Sequence, residues 1–299
     1  MFNKSLLSLV LINTAALISC ATVEKQQRTV YGSDIKPDTT IRITQDEPVS
    51  ILRVATLNMA HGRKDSFNQL LVGADRHKEN LDDIAEVLNR YRPNVVALQE
   101  ADAESGWSGG FDHVAYLASA AEYPWRTHVS NAQSWLFSFG TALLSGVAIK
   151  ETINHTFESS PPTLDKGFAL AQIVWQPGKE AKPRKIDLIS VHLDFSSQDV
   201  RQTQSKEMVE ILSSRMNPTI IMGDFNSEWL AKESVIKELA TKSRFISYRP
   251  ESGDYATYKG KRLDWILITK DMEFVNYEVL PDTLSDHSMI VADIRFKDK

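Results

Sequence analysis

The stretch Ile220-Ile221-Met222-Gly223-Asp224-Phe225-Asn226 joins a short apolar run to two polar side chains. The β-branched residues after Pro218 predict a buried strand that ends at Gly223. Because residues i and i+2 of a strand point to the same face, Asp224 and Asn226 can address one ligand where the extended conformation continues. An Asx turn is the alternative interpretation of the same residues. Polar residues at the ends of other strands favour the ligand-binding interpretation.

Five predicted strand ends carry hydrogen-bonding or ionisable side chains, and a sixth strand carries one near its start. These residues are Asn58, Glu100, His192 with Asp194, Asp224 with Asn226, Asp286 with His287, and Asp264. A single buried Asn or Asp is usually a turn or a cap, and a single His is usually structural. Their repetition at strand ends indicates a site rather than a series of unrelated turns.

The spacing of apolar residues predicts an α+β fold. Helical spacing over His77–Tyr91 and Val200–Ser214 predicts two amphipathic helices, and short apolar or alternating runs predict more strands than helices. Such a chain packs sheets against each other with helices outside. Of the 299 residues, 42% are hydrophobic, which suffices for a sizeable core. No composition break divides residues 50–299, so we expect one domain there.

The N-terminal residues predict export and a lipid anchor. Lys4 precedes an apolar stretch that ends at Ser19-Cys20, and Leu17-Ile18-Ser19-Cys20 resembles the bacterial lipobox. We therefore predict a signal peptide over residues 1–19, lipidation of Cys20, a polar flexible tether over residues 20–49, and a location in the bacterial cell envelope. Cys20 is the only cysteine, so an internal disulfide is excluded. A plain signal peptide or membrane anchor with an incidental cysteine is the alternative.

Charge and aromatic content leave the substrate open. The formal net charge of −5 gives no general attraction to polyanions, so nucleic acid is expected at most as a substrate bound at a local patch. Aromatic residues are frequent between residues 101 and 140. Their interpretation stays open between core residues, the lining of a substrate cleft, and contact with a lipid surface.

The whole set of motifs resembles the endonuclease/exonuclease/phosphatase superfamily of DNase I-like, metal-dependent phosphoesterases. The resemblance covers Ser50 to about Arg295, and its motifs follow the order of the family. They are Thr56-Leu57-Asn58, Leu98-Gln99-Glu100, residues 140–145, Val191-His192-Leu193, Gly223-Asp224-Phe225-Asn226, Leu263-Asp264-Trp265-Ile266, and Ser285-Asp286-His287. Any single tripeptide is weak evidence for the family, whereas seven motifs in the family's order are strong evidence.

The resemblance implies a four-layer α/β sandwich, with two mixed sheets face to face and helices outside. It also implies Asp224, Asn226, His192, and His287 oriented by Asp264 as catalytic residues, with His287 as the base. Asn58, Glu100 and Asp286 are implied as metal ligands. The implied cofactor is Mg²⁺, with Mn²⁺ as an alternative, because phosphoester hydrolysis requires charge neutralisation by a hard cation with oxygen ligands.

One segment departs from the family pattern. Thr141 and Gly146 occupy positions where the family often has Asn and Arg. The positively charged side chain that would contact the substrate at the Arg position is therefore missing. The loop His61-Gly62-Arg63 supplies replacement contacts in one interpretation and is a solvated loop in the other. The substrate remains open among DNA, RNA, phospholipid, sphingolipid and inositol or sugar phosphates. A noncatalytic surface lipoprotein, using the same fold as a binding module, is the competing hypothesis. A purely structural role for the polar residues is a third.

Overall fold

Two β-sheets and four α-helices make up the described part of the chain. The computed structural model describes residues 28–33, 35–41 and 50–298. The strands are β1 (Thr29–Ser33), β2 (Leu52–Asn58), β3 (Val95–Asp102), β4 (Trp125–Gln133), β5 (Ser138–Ser145), β6 (Ile149–Thr156), β7 (Gly167–Trp175), β8 (Arg184–His192), β9 (Thr219–Asp224), β10 (Phe245–Ser247), β11 (Asp264–Thr269), β12 (Met272–Val279) and β13 (Ile290–Phe296). The helices are α1 (Ala74–Tyr91), α2 (His113–Ala120), α3 (Gln198–Ser213) and α4 (Val235–Lys242).

The sheets form the two inner layers of a sandwich. One sheet has the order β1-β6-β7-β8-β9-β11-β10 and the other β12-β13-β2-β3-β5-β4. Each is mixed, because β8 and β9 are parallel in the first and β2 and β3 in the second. One apolar cluster fills the space between the sheets, and two others lie under the helices on the outer faces. The α+β prediction with two packed mixed sheets is confirmed.

Strand alternation explains how the sheets are covered on both sides. In β9, Ile220 and Met222 belong to the cluster between the sheets, whereas Ile221 belongs to the cluster under α3 and α4. Because the side-chain period is two, Asp224 continues on the inner face. This strand is buried throughout, which accounts for its continuous apolar sequence.

A buried polar bridge joins the sheets behind their common edge. The Ser190 hydroxyl donates to the Leu98 carbonyl at 2.8 Å and accepts from Gln99 Nε2 at 2.9 Å. Hydrogen bonds in such an apolar setting are costly to break, because each lost partner leaves a buried polar group unsatisfied. The bridge therefore holds β8 and β3 in a fixed relation just below the polar strand ends.

The structure departs from the sequence prediction at the edge of the larger sheet. Residues 29–33, which the sequence places in the tether, form the edge strand β1 and pair with β6, with Thr29 opposite His155. β1 is an edge strand that pairs only with β6, and its side chains are half-buried or exposed. It therefore lacks the buried apolar residues by which an inner strand is recognised in a sequence. The predicted signal peptide and Cys20 lie outside the described residues. No helix among the described residues is long and apolar enough to cross a bilayer.

Candidate active site

Strand register brings four of the predicted site residues to one edge, between the two sheets. His192 pairs with Asp224 across β8 and β9, and Asp224 pairs with Asp264 across β9 and β11. Asn58 ends β2 in the facing sheet and lies opposite Gln99, beside Glu100. These residues continue the inward face of their strands, so their side chains point into the gap that the apolar cluster leaves at the edge.

Asp224 lies at the centre of this edge. Its Oδ2 accepts a hydrogen bond from Asn58 Nδ2 at 3.1 Å, and it is 3.6 Å from His192 Nε2 and 3.9 Å from His287 Nε2. Burial and the neighbouring Asp264 carboxylate raise the pKa of Asp224 to about 7, against the opposing effect of His287. Asp224 therefore exchanges a proton near neutral pH.

The turn after Asp224 is set by glycine and by an Asx bond. Gly223 has φ 143°, and a Cβ there would lie 2.0 Å from the Val191 carbonyl oxygen. Only glycine allows β8 to approach so closely at this point. Asp224 Oδ1 accepts from the Asn226 amide at 2.9 Å, and Asn226 Nδ2 donates to the Leu193 carbonyl at 3.0 Å. The Asx-turn and the ligand-binding interpretations of residues 220–226 therefore hold together, because Asp224 and Asn226 form an Asx turn that lines the pocket.

His287 and Asp264 form a buried pair. His287 Nδ1 lies 2.7 Å from Asp264 Oδ2, and its ring is 4.6 Å from the ring of Tyr258. Burial lowers the pKa of His287, but the carboxylates of Asp264 and Asp224 outweigh it and raise the pKa to about 10. The imidazole is therefore protonated at neutral pH and directs Nε2 toward Asp224.

His192 has the opposite character because its partner is a lysine. Lys166 Nζ lies 3.5 Å from His192 Nδ1, and both side chains are buried. Burial and the Lys166 ammonium lower the pKa of His192 well below its usual value. Since an ammonium has only donors, Nδ1 accepts and the proton of the neutral ring lies on Nε2. That proton faces Asp224 and the pocket.

Glu100 lies on a β-bulge within β3, at the residue where the sequence predicted this strand to end. The register with β5 shifts between Leu98 and Ala101, and Glu100 has φ 48°. A non-glycine residue in this conformation is strained, and bulges commonly re-aim side chains at sites. Burial raises the pKa of Glu100, but the positive charges of His61 and Lys166 outweigh it and lower the pKa to about 2. Glu100 is thus a fixed anion.

A second histidine–carboxylate pair holds Glu100 and was missed from the sequence. His61 Nε2 lies 3.4 Å from Glu100 Oε2, and His61 Nδ1 lies 2.8 Å from Asp102 Oδ2. Trp107 Nε1 donates to the other Asp102 oxygen at 2.7 Å. Asp102 and Glu100 both belong to β3 and lie two residues apart. This i, i+2 spacing was the one sequence signal that could have added Asp102 to the site. His61 has φ 56°, which no sequence pattern revealed.

Asp286 and Arg63 close another side of the pocket. Arg63 Nη2 donates to Asp286 Oδ2 at 2.6 Å, and both residues line the same cavity. Of residues 61–63, Arg63 lines the cavity, whereas His61 and Gly62 are buried and do not line it, so replacement contacts with substrate stay a prediction for Arg63. Asp194, by contrast, points away from the pocket. It holds its own loop, with Oδ1 accepting from the amides of Ser196 and Ser197 at 2.8 Å.

These residues surround one open cavity of about 630 Å³. Among the predicted site residues, those on its wall are Asn58, Glu100, His192, Asp224, Asn226, Asp286 and His287. Asp264 stands behind His287 as its hydrogen-bond partner. Cys20 lies outside the described residues. The structure thus brings together every predicted catalytic and metal-binding residue, either on the wall or directly behind it.

The side chains of the pocket fit a hard divalent cation. Glu100 is ionised and lines the same cavity as Asn58 and Asp286. Asn58 Oδ1 accepts from the Ala60 amide at 3.0 Å and Asp286 Oδ2 accepts from Arg63 at 2.6 Å, so each keeps a further lone pair or oxygen for an ion. Such oxygen donors suit Mg²⁺ or Mn²⁺. A second grouping, Asp224, Asp264 and His287, offers ligand atoms within 4.8 Å of one another. A cation there would have to displace the Asp264–His287 hydrogen bond of 2.7 Å, whereas the contact between Glu100 and His61 is longer, at 3.4 Å, so Glu100 is the more available ligand.

Comparisons with known proteins agree with this architecture. The family model described as "Endonuclease/Exonuclease/phosphatase family" matches residues 206–287, and a search of curated proteins found no match. An endonuclease/exonuclease/phosphatase family protein from Leptotrichia buccalis is 18% identical, with a TM-score of 0.65 over 82% of this chain and 100% of that one.

Two further solved structures share the fold. The human Nocturnin catalytic domain, solved with bound sulfate, is 19% identical, with a TM-score of 0.62 over 84% of this chain and 96% of that one. A mannosyl-6-phosphatase from Bacteroides thetaiotaomicron is 13% identical, with a TM-score of 0.60 over 82% of this chain and 100% of that one. The described chain therefore shares the fold of these three solved structures, and the family model matches the segment that carries Asp224, Asp264 and His287.

Proposed function

We propose that the chain is a divalent-metal-dependent phosphoester hydrolase of the endonuclease/exonuclease/phosphatase superfamily. The observation that carries this proposal is the convergence of Asp224, His192, His287 and Glu100 on one cavity, with a different protonation state for each side chain. Hydrolysis of a phosphoester needs a proton acceptor for water, a proton donor for the leaving oxygen, and positive charge at the phosphoryl oxygens. The pocket contains a candidate for each task.

The charges favour a particular division of roles. Asp224, with a pKa of about 7, accepts the proton of the attacking water. The neutral His192 donates a hydrogen bond from Nε2 to a phosphoryl oxygen. The protonated His287 neutralises charge on the phosphoryl group and gives its Nε2 proton to the leaving oxygen, which leaves a neutral imidazole. This division differs from the resemblance, which implies His287 as the base. The Asp264–His287 pair stabilises the imidazolium in either case.

A bound divalent cation would supply further neutralisation of the phosphoryl oxygens. Glu100, Asn58 and Asp286 are the residues that would hold it. His61 and Asp102 keep the Glu100 carboxylate in place, as partners behind metal ligands commonly do. The remaining residues would contact the substrate rather than the ion, and their positions are fixed by the hydrogen bonds already described.

A metal-dependent activity panel tests the proposal. The full chain is assayed with Mg²⁺, with Mn²⁺ and with chelator, on DNA, RNA, phospholipids, sphingolipids, and inositol or sugar phosphates. We expect hydrolysis of at least one class and loss of that activity with chelator. The competing binding-module hypothesis would be favoured by an absence of hydrolysis on every class together with an absence of metal binding by calorimetry. The pairing of both histidines with charged partners favours the enzyme.

Lys166 provides a test of the role of His192. Replacing Lys166 with Met removes the charge that holds Nδ1 as an acceptor, so we expect the pKa of His192 to rise and kcat/KM to fall about 10- to 100-fold. ¹⁵N NMR of the imidazole reports the tautomer directly. The matched control is Lys150→Met, an exposed lysine of β6. An unchanged tautomer and rate in Lys166→Met would remove the positioning role.

We also propose that the protein is a lipoprotein of the bacterial cell envelope, anchored through Cys20 and followed by a catalytic domain that includes β1 as well as the predicted residues 50–299. The support is the lipobox sequence and the single cysteine. Radiolabelled palmitate is expected to enter the wild-type protein and to be lost in Cys20→Ala. A wild-type protein that stays unlabelled and fractionates away from membranes would contradict the anchor.

A further inference from the structure

Exposed apolar side chains are concentrated on the loops around the pocket. Six large ones are at least 59% exposed and follow strand ends at the pocket edge of the sandwich: Phe67, Leu70, Leu71, Trp135, Phe195 and Leu230. Two other large apolar side chains among the described residues are more than half exposed: Met216, at the opposite edge, and Tyr31, in the middle of the edge strand β1. Single exposed apolar residues are ordinary, whereas a group confined to one end indicates a contact surface.

Three connections show that these loops are neighbours of the pocket. The segment with Phe67 and Leu71 follows the end of β2, and Arg63, on the pocket wall, donates to the Ser66 carbonyl at 2.5 Å. The turn at residues 69–71 packs against the turn at residues 106–108. The Trp107 amide of that second turn donates to the Leu136 carbonyl in the β4–β5 hairpin. Trp135 lies at the tip of this hairpin.

The start of the described chain lies at the same edge. Thr29 of β1 is opposite His155 near the end of β6, and the next β6 residue, Thr156, is opposite Gly167. Gly167 in turn is opposite His192 at the end of β8. Three strand spacings separate β1 from β8, which is about 15 Å. Arg28 and Thr29 therefore lie at the pocket edge of the larger sheet.

The predicted anchor would hold this edge close to a bilayer. Seven residues separate Cys20 from Arg28, and the eight steps between their Cα atoms can span at most about 29 Å. A globular body of about 250 residues has a radius of gyration of about 18 Å, so its far edge would lie beyond easy reach of the anchor. An anchor attached on this side favours an orientation with the pocket edge toward the lipid.

We propose that the pocket edge is a membrane-facing surface, which inserts Phe67, Leu70, Leu71 and Trp135 into the interfacial region of a lipid bilayer. Tryptophan is favoured at this depth, and the burial of leucine and phenylalanine side chains supplies the binding free energy. The pocket then opens onto lipid headgroups, which carry phosphoesters. The surface itself does not depend on the hydrolytic reaction. The choice of a headgroup substrate rests on the proposed function.

Matched labels on the full chain test the surface. Leu71→Cys and Met216→Cys place an environment-sensitive fluorophore at side chains that are 78% and 85% exposed at opposite edges. Any label on Cys20 is common to both and cancels in their comparison. With vesicles of phosphatidylethanolamine and phosphatidylglycerol, we expect a blue shift and quenching by doxyl-labelled acyl chains at residue 71 but not at residue 216. Equal responses, or no response at residue 71, would overturn the proposal.

A vesicle-free control separates lipid from protein partners. A blue shift at residue 71 that grows with protein concentration, before vesicles are added, would show that a second copy of the chain covers these side chains, and the lipid proposal would fall. We expect instead no dependence on protein concentration.

Activity measurements then distinguish the surface from the chemistry. The triple variant Phe67→Ser/Leu71→Ser/Trp135→Ser is expected to lose about tenfold or more in rate on vesicle phospholipid and to keep the wild-type rate on a soluble phosphodiester. Met216→Ser is the control and should behave as wild type on both. Equal loss on both substrates would assign these side chains to the fold rather than to lipid. If the wild type hydrolyses neither substrate, the proposed function fails, while the label experiment still decides the surface.

Discussion

Replacement of His287 with alanine is expected to lower kcat/KM for phosphoester hydrolysis by about 10²- to 10⁴-fold. The imidazolium is held by Asp264 at 2.7 Å and faces Asp224 at 3.9 Å. Its removal takes away the positive charge beside the phosphoryl group and leaves the Asp264 carboxylate buried without its partner. Steady-state kinetics on the substrate found in the activity panel measures the loss.

The matched control for this variant is His128→Ala, a half-buried histidine outside the pocket. His128→Ala should retain the wild-type rate. Circular dichroism of both variants separates loss of chemistry from loss of fold. Wild-type kinetics in folded His287→Ala would contradict the role of the Asp264–His287 pair.

The pH dependence of the rate tests the effect of Asp264 on the pKa values of Asp224 and His287. If Asp224 must be ionised and His287 protonated, the rate rises as pH passes through about 7 and falls as pH passes through about 10. The Asp264 charge raises both pKa values, so Asp264→Asn should move both limbs to lower pH. A profile whose alkaline limb stays in place would show that Asp264 does not control the protonation of His287.

Replacement of Glu100 with glutamine is the second large effect that we expect. The variant keeps the shape of the side chain but removes the anion that His61 and Lys166 hold ionised. Because a hard cation binds carboxylate more strongly than amide, the affinity for Mg²⁺ should fall about 10- to 100-fold or more, and kcat at fixed Mg²⁺ should fall with it. Calorimetric titration and the dependence of rate on Mg²⁺ measure the two quantities.

Glu104→Gln is the control, since Glu104 is exposed and lies outside the pocket wall. It should leave metal affinity and rate unchanged. If Glu100→Gln binds Mg²⁺ as tightly as wild type, the cation is held elsewhere, and the grouping of Asp224, Asp264 and His287 becomes the alternative site.

Local patterns predicted the inner part of the fold well. The strands that carry Asn58, His192 and Asp224 are short apolar runs with polar ends, so their type followed from period and breakers. Their limits followed only approximately, because β8 ends at His192 and Asp194, predicted at the same strand end, lies in the loop beyond it. Their meeting at one edge was expected from the resemblance rather than from local pattern, because register depends on pairing between distant segments. Edge strands such as β1 have few buried side chains and gave no clear signal.

The residues behind the site were the least predictable. Lys166 precedes β7 in a loop, and no local pattern indicates that its ammonium reaches His192 Nδ1. His61 adopts a left-handed conformation in a short turn and meets Asp102 across 41 positions of sequence. Such partners act through distance and burial, which only the packed structure determines. Burial and Lys166 make His192 a neutral hydrogen-bond donor, whereas Asp264 and Asp224 make His287 a cation.

The most direct measurement of the central claim is hydrolysis in water enriched in ¹⁸O, comparing the wild type with Asp224→Asn in the presence of Mg²⁺. The account predicts that wild-type protein incorporates one heavy oxygen into the phosphorus-containing product. It also predicts that Asp224→Asn, folded and with the same pocket shape, incorporates it at least about 10²-fold more slowly. Equal rates of incorporation in the two proteins, or no incorporation by the wild type on any phosphoester of the panel, would contradict the assignment of this pocket as a phosphoester hydrolase site.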